Sequence, residues 1–162
     1  MLASFLFIRE LFLFVISGLI TEQGKPGSSG YRYDFRPSNA YKSYVDPWSP
    51  GDPWVGWWAP ATIYMEFPSP HRLQAIGYEN DHRSTEDPKL MHVVGSDDCS
   101  TWTDLLVVED TGFTNVREMR KWIIPVENRR MFSCIGLRWP KKDPSVNDIV
   151  VRVTDILMWE EL

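Results

Sequence analysis

Four tryptophans fall between positions 48 and 58 of this chain, at Trp48, Trp54, Trp57 and Trp58, in the stretch VDPWSPGDPWVGWW. A flat indole stacks on the apolar face of a sugar ring, buries in a membrane interface or fills a protein pocket. The same rings can instead clamp their own Pro/Gly-rich loop against the fold. For Trp57 and Trp58 that plainer role is favoured, because one of them should open a strand. A second group follows at Tyr78, Asn80, His82 and Arg83. An aromatic beside an amide, an imidazole and a guanidinium combines apolar surface with fixed donors and acceptors, the mixture that sugar hydroxyls require. A solvated turn from Glu79 to Arg83 is the competing reading.

Chemistry of other kinds finds no support. The three histidines, His71, His82 and His92, are far apart, and no HExxH, GxSxG or Gly-rich phosphate loop occurs. Carboxylates are plentiful but fall almost entirely in turns, and nothing marks a pair placed for glycoside hydrolysis. The chain therefore reads as a non-enzyme. With a net charge of -5 and no basic cluster, it also lacks the concentrated Lys and Arg that a phosphate backbone demands. Two cysteines, Cys99 and Cys134, are too few for a disulfide scaffold and lack the paired spacing of a zinc site. Either they bridge, which implies an oxidising compartment, or they are two small buried apolar residues.

These side chains need a frame, and composition says which kind. Twelve prolines and eight tryptophans in 162 residues disfavour helices and favour pleated, half-buried surfaces. Ile63, Met65 and Phe67 alternate with Thr62, Tyr64 and Glu66 at period two, after which PSP should stop the strand. Further strand-like runs occupy Leu73 to Tyr78, Leu90 to Gly95, Trp102 to Val108, Met119 to Ile124, Phe132 to Trp139 and Ile149 to Trp159. Seven such runs, punctuated by turns, predict a single all-β sandwich or barrel.

The N-terminal residues stand outside that pattern. Residues 1–20 are almost wholly apolar, but Arg9 and Glu10 fall near the middle. Two central charges cost roughly 2.5–3.5 kcal/mol each on the insertion scale, which nearly cancels the gain from about a dozen apolar residues. A secretory signal with its h-region at Leu11 to Ile20 fits better, and a hydrophobic arm or an imperfect gene start are the alternatives. Residues 21–30, TEQGKPGSSG, read as a flexible linker, so the folded domain is expected over 31–162. That makes the N-terminal segment dispensable for folding.

The order of the downstream segments carries a resemblance. IYMEFPSPHRLQAIGYEN, PKLMHVVGSDDCSTWTDLL, WIIPVENRRMFSCIGLRW and VRVTDILMWEE follow one another as in the discoidin family, also called the coagulation factor V/VIII type C family. The match runs from about Ser38 to Glu161. Its most specific piece is Val94-Gly95-Ser96-Asp97-Asp98 with Trp102, where an Asp should hold a tight turn and the Trp should fold back over the sheet.

The resemblance implies a galactose-binding-like jelly-roll β-sandwich acting as a non-catalytic recognition module, lectin-like or adhesive, that binds through its end loops. Ligand contacts are then expected from Trp48, Trp54, Trp57, Tyr78, Asn80, His82 and Arg83, although an Arg usual in the family near Glu79 is absent. A glycan or glycoprotein is the implied partner, with a protein partner or a membrane contact left open and no nucleic acid. No cofactor is required. A structural calcium would fall to Asp46 and Glu160, but the family's usual Asp-Gly-x-x-x-T-x-W loop is replaced by VDPWSPGDPWVGWW. A secreted or extracellular location is expected from the leader-like segment, and the cysteines should be bridged if the chain is secreted. The alternative is a structural subunit docked in a larger assembly by its Trp-rich loop and N-terminal arm.

Overall fold

The computed structural model describes residues 17–29, 54–57, 60–80, 89–140 and 150–161. They form nine antiparallel strands: β1 (Ser17–Leu19), β2 (Lys25–Ser29), β3 (Trp54–Trp57), β4 (Ala61–Asn80), β5 (Met91–Ser96), β6 (Thr103–Val108), β7 (Met119–Ile123), β8 (Met131–Trp139) and β9 (Val150–Glu161). One sheet runs β2-β4-β8-β5-β6. The other runs β7-β4-β9, with β1 and β3 sharing the far side of β9. The core between them joins Ile63, Met65, Ile135 and Leu137 of the first sheet to Ile76, Ile156 and Met158 of the second. The all-β sandwich expected from the strand pattern is therefore the fold.

Both sheets share β4, and this departs from the expected stop at PSP. The strand runs on for 20 residues. Its pairing with β8 jumps between Glu66 and His71, so Pro68, Ser69 and Pro70 leave the ladder as an exposed bulge. Prolines have no N–H to give a ladder, and a bulge bends the strand that carries it. Phe67 and His71 are buried on either side of the bulge, so the strand turns a corner between sheets instead of ending.

The linker reading is corrected. Lys25–Ser29 is a strand paired with Lys25↔Glu66 through Ser29↔Thr62. Its Gly27 lies where a Cβ would overlap the Tyr64 ring, so the small residue serves close packing, not flexibility. The boundary at residue 20 fails for the same reason. Leu19 pairs with Trp159. Ile20 is fully buried, and its N–H donates to the Met158 carbonyl at 3.0 Å. Thr21 Oγ1 accepts the Met158 N–H at 2.9 Å. An h-region ending at Ile20 would thus end inside the sheet. No helix among the described residues is long and apolar enough to cross a membrane.

The cysteines are bridged, with Cys99 and Cys134 at a Cα–Cα distance of 5.4 Å. Cys99 takes the left-handed conformation, φ 54°. Asp98 enforces it: its Oδ1 accepts Ser100 N at 2.8 Å and Thr101 N at 2.7 Å, while Ser96 Oγ donates to the same oxygen at 2.8 Å. Those donors hold the Asp98 carboxyl well below the usual carboxylate range. Trp102 folds back onto Tyr64, ring centroids 5.2 Å apart, as the motif implies.

Two outcomes test this architecture. A chain starting at Tyr31 should lose its cooperative thermal transition or show it far lower, because β1, β2 and Ile20 go with the missing residues; an unchanged transition removes them from the fold. Replacing Cys99 and Cys134 with Ala should cost about 3–4 kcal/mol in urea unfolding on the chain-entropy model. No difference from the oxidised parent would mean the bridge contributes nothing.

Candidate functional site

Three strand junctions meet at one end of the sandwich. Asn80, the last residue of β4, pairs with Val153 near the start of β9, and Glu79 pairs with Met119 at the start of β7. The partner sheet reaches the same end through Trp139, which ends β8, since its ring stands edge-on to Tyr78 at 5.9 Å. Val108, which ends β6, pairs with Met91, and Met119 opens β7 at Glu79, so the 109–118 turn joins the two sheets at this end.

Its floor is aromatic. Tyr78 is fully buried, stacks on Trp122 at 5.5 Å and meets Phe113 at 4.8 Å, tilted 60°. Such a cluster seals the gap where two sheets diverge. Expected as a ligand contact, Tyr78 instead belongs to the core, because even positions of β4 (Ile76, Tyr78, Asn80) face inward.

Asn80, also an expected contact, is corrected likewise. It is fully buried; its Nδ2 donates to the Asn115 carbonyl at 2.9 Å and its Oδ1 accepts Glu118 N–H at 2.7 Å. One amide thus satisfies both sides of the turn above it. A buried donor and acceptor on one side chain suit this: Asp would leave the Asn115 carbonyl unpaired, and Leu would leave both groups unpaired.

The turn itself is built by short-range polar contacts. Asp110 Oδ1 accepts the N–H of Gly112 at 2.8 Å, where a φ of 67° suits glycine. Glu118 Oε2 accepts Thr114 N at 3.0 Å and Asn115 N at 3.1 Å. Its Oε1 accepts Arg120 Nε at 2.6 Å, and the Arg120 guanidinium lies over the Phe113 ring at 5.7 Å. The Thr114 and Asn115 N–H groups, then Arg120, pull the Glu118 carboxyl down to about 2.

What the turn presents outward is Val116, 50% exposed, and Arg117, whose side chain is 58% exposed. Arg117 has φ 53°. Its guanidinium stands 3.8 Å from Glu79 Oε1, and Thr154 Oγ1 donates to that same oxygen at 2.9 Å. Neither Val116 nor Arg117 was singled out from sequence. No local signal marks them; Asn80 and Glu118 hold them in place from 38 residues apart.

Among the other expected contacts, Trp48, His82 and Arg83 lie outside the described residues. Trp54 and Trp57 fall on β3, opposite Val153 and Val150, so their backbone sits at this same end. Glu160, one expected calcium ligand, lies at the opposite end, where His71 Nδ1 is 2.6 Å from its Oε2. Asp46 lies outside the described residues. Among those described, no three His, Cys, Asp or Glu residues come together to hold a metal.

The Glu118 contacts carry a pH signature. Its folded-state value lies below the ordinary 4.5, so its contribution is complete above about pH 4.5 and is lost as pH falls toward 2. Amide resonances of Thr114 and Asn115 should titrate with an inflection near pH 2. An inflection between about 4 and 5, the ordinary carboxylate range, would show that the carboxylate does not hold the turn.

No family model matches the chain, and no curated protein is similar in sequence at a significant level. Solved structures do share its shape. The family 32 CBM of C. perfringens NanJ, solved with galactose, is 9% identical with a TM-score of 0.58, over 90% of this chain and 100% of that one. The lectin-binding domain of Lectinolysin, complexed with Lewis b, is 6% identical with a TM-score of 0.64, over 88% and 96%. The fucolectin of Morone saxatilis serum is 9% identical with a TM-score of 0.61, over 90% of this chain and 48% of its own. This chain also spans 33% of a truncated AlyQ that carries CBM32 and alginate lyase domains. At these identities the likeness is one of fold: the chain is a galactose-binding-like jelly roll.

Proposed function

We propose that this chain is a non-catalytic saccharide-recognition module, secreted or extracellular, that binds at the end of the sandwich holding the 109–118 turn. The observation that carries the reading is how this end is built. A buried aromatic floor and a buried amide fix a turn whose outward groups, Val116 and Arg117, pair apolar surface with a donor. Strand β3, with Trp54 and Trp57, and Asn80 at the end of β4 lie at this same end.

A sandwich commits its strand side chains to the core or the outer faces, so adaptable chemistry collects in end loops. Fold neighbours solved with galactose, Lewis b and 4,5-unsaturated mannuronic acid support a glycan ligand. The Cys99–Cys134 bridge supports an oxidising compartment. Docking into an assembly by an N-terminal arm is less well supported, since residues 17–20 are used within the fold.

The test is a glycan array with the full chain, followed by calorimetry on the best ligand. Trp48→Ala and His82→Ala should each weaken binding by about 2 kcal/mol, the scale of a central contact, with the thermal transition unmoved. An array without a single glycan hit, or variants that bind as the parent does, would retire the reading.

A further inference from the structure

Arg117 is held in a backbone conformation that L residues with a Cβ avoid. The backbone there does not require arginine, and the charge partner of its side chain is Glu79 at 3.8 Å. The Arg117 side chain is 58% exposed and packs no core. Glycine would meet the same φ without strain. Around it, however, the turn is over-determined: Glu118 binds the N–H groups of Thr114 and Asn115, and the fully buried Asn80 ties Asn115 and Glu118 from below. A strained residue in a turn pinned at Thr114, Asn115 and Glu118, and itself turned outward, is the pattern of a contact group kept at the expense of stability.

We propose that Arg117 is a ligand-contact residue of the saccharide site and that, with Glu79, it selects neutral sugars over acidic ones. The inference rests on the saccharide reading above. The guanidinium offers donors in a planar fork. The Glu79 carboxylate, 3.8 Å away and oriented by Thr154, offers acceptors beside it. A donor fork next to an acceptor pair matches vicinal hydroxyls, each of which donates and accepts. A sugar carboxylate at the same place would gain Arg117 but face Glu79 at close range, and like charges there oppose binding. Val116, exposed beside Arg117, gives the apolar C–H face of the ring a surface to rest on.

The discriminating variant is Arg117→Gly, measured in the full chain for both stability and binding. Galactose, lactose and fucose serve as neutral probes, and galacturonic acid as the acidic one. Arg117→Gly should keep or raise the melting temperature while weakening the best neutral probe at least about tenfold. Arg117→Lys, which keeps the charge but loses the fork, should recover only part of that loss. The parent should bind galacturonic acid at least about tenfold more weakly than galactose. If the parent binds a neutral probe and Arg117→Gly binds it equally well, the inference fails while the saccharide reading stands. A melting temperature that drops sharply in Arg117→Gly, with binding reduced only by the unfolded fraction, makes Arg117 structural and also overturns it. A parent that binds galacturonic acid as well as galactose removes the selectivity. If no probe binds the parent, the inference falls together with the reading beneath it.

Discussion

The rest of the molecule depends on β4 being shared. Over its first half it pairs with β2 and β8, and over its second half with β7 and β9. Both edges of one 20-residue strand are therefore paired on either side of its bulge. Stacked sheets lie about 10 Å apart, so a strand that serves both must turn sharply between them. The Pro68–Pro70 bulge supplies the turn. Because the strand leaves and returns at one end of the sandwich, its two termini, Ala61 and Asn80, help to define a single rim. The opposite end keeps the corner, the disulfide turn and the His71–Glu160 contact.

The two ends use the same device for different purposes. Each carries a non-glycine residue at positive φ, Cys99 at one and Arg117 at the other. Each conformation costs roughly 1–2 kcal/mol. Each is held by an acid at a neighbouring position that gathers backbone N–H groups, Asp98 for Cys99 and Glu118 for Arg117. At the corner end the strained residue is fastened covalently to β8, so the strain is spent on staple geometry. At the rim it projects toward solvent, and its guanidinium comes within 3.8 Å of Glu79. One local motif thus ends in a covalent staple at one end and in an exposed side chain at the other.

Buried polar groups decide which residues can face a ligand. Tyr78 and Asn80 have the side-chain types of a sugar site, yet both are fully buried. Tyr78 closes the aromatic floor, and Asn80 satisfies one donor and one acceptor of the facing turn. An unpaired buried amide group costs about 1–3 kcal/mol, so Asn80 has little freedom to do anything else. Residue type proposed a contact, and burial reassigned it to holding one.

The sequence by itself determined the fold class and most of the strands. Alternation at period two survives in a half-buried strand, so Ile63 to Phe67 was legible without its partners, and the runs Leu90 to Gly95 and Phe132 to Trp139 fall within one residue of β5 and β8. The disulfide turn was legible too, because Asp98 acts on residues within three positions of itself. Tertiary structure alone decided the rest. Lys25–Ser29 has no apolar rhythm and is a strand only because β4 offers its edge. Ser17–Ile20 reads as the end of a leader and is instead an edge strand and a core residue, since an apolar run looks the same in either role. The outward position of Arg117 depends on a hydrogen bond between residues 38 apart in sequence. Contacts of that range leave no local period or motif, so only the folded chain reveals which side of the rim a residue takes.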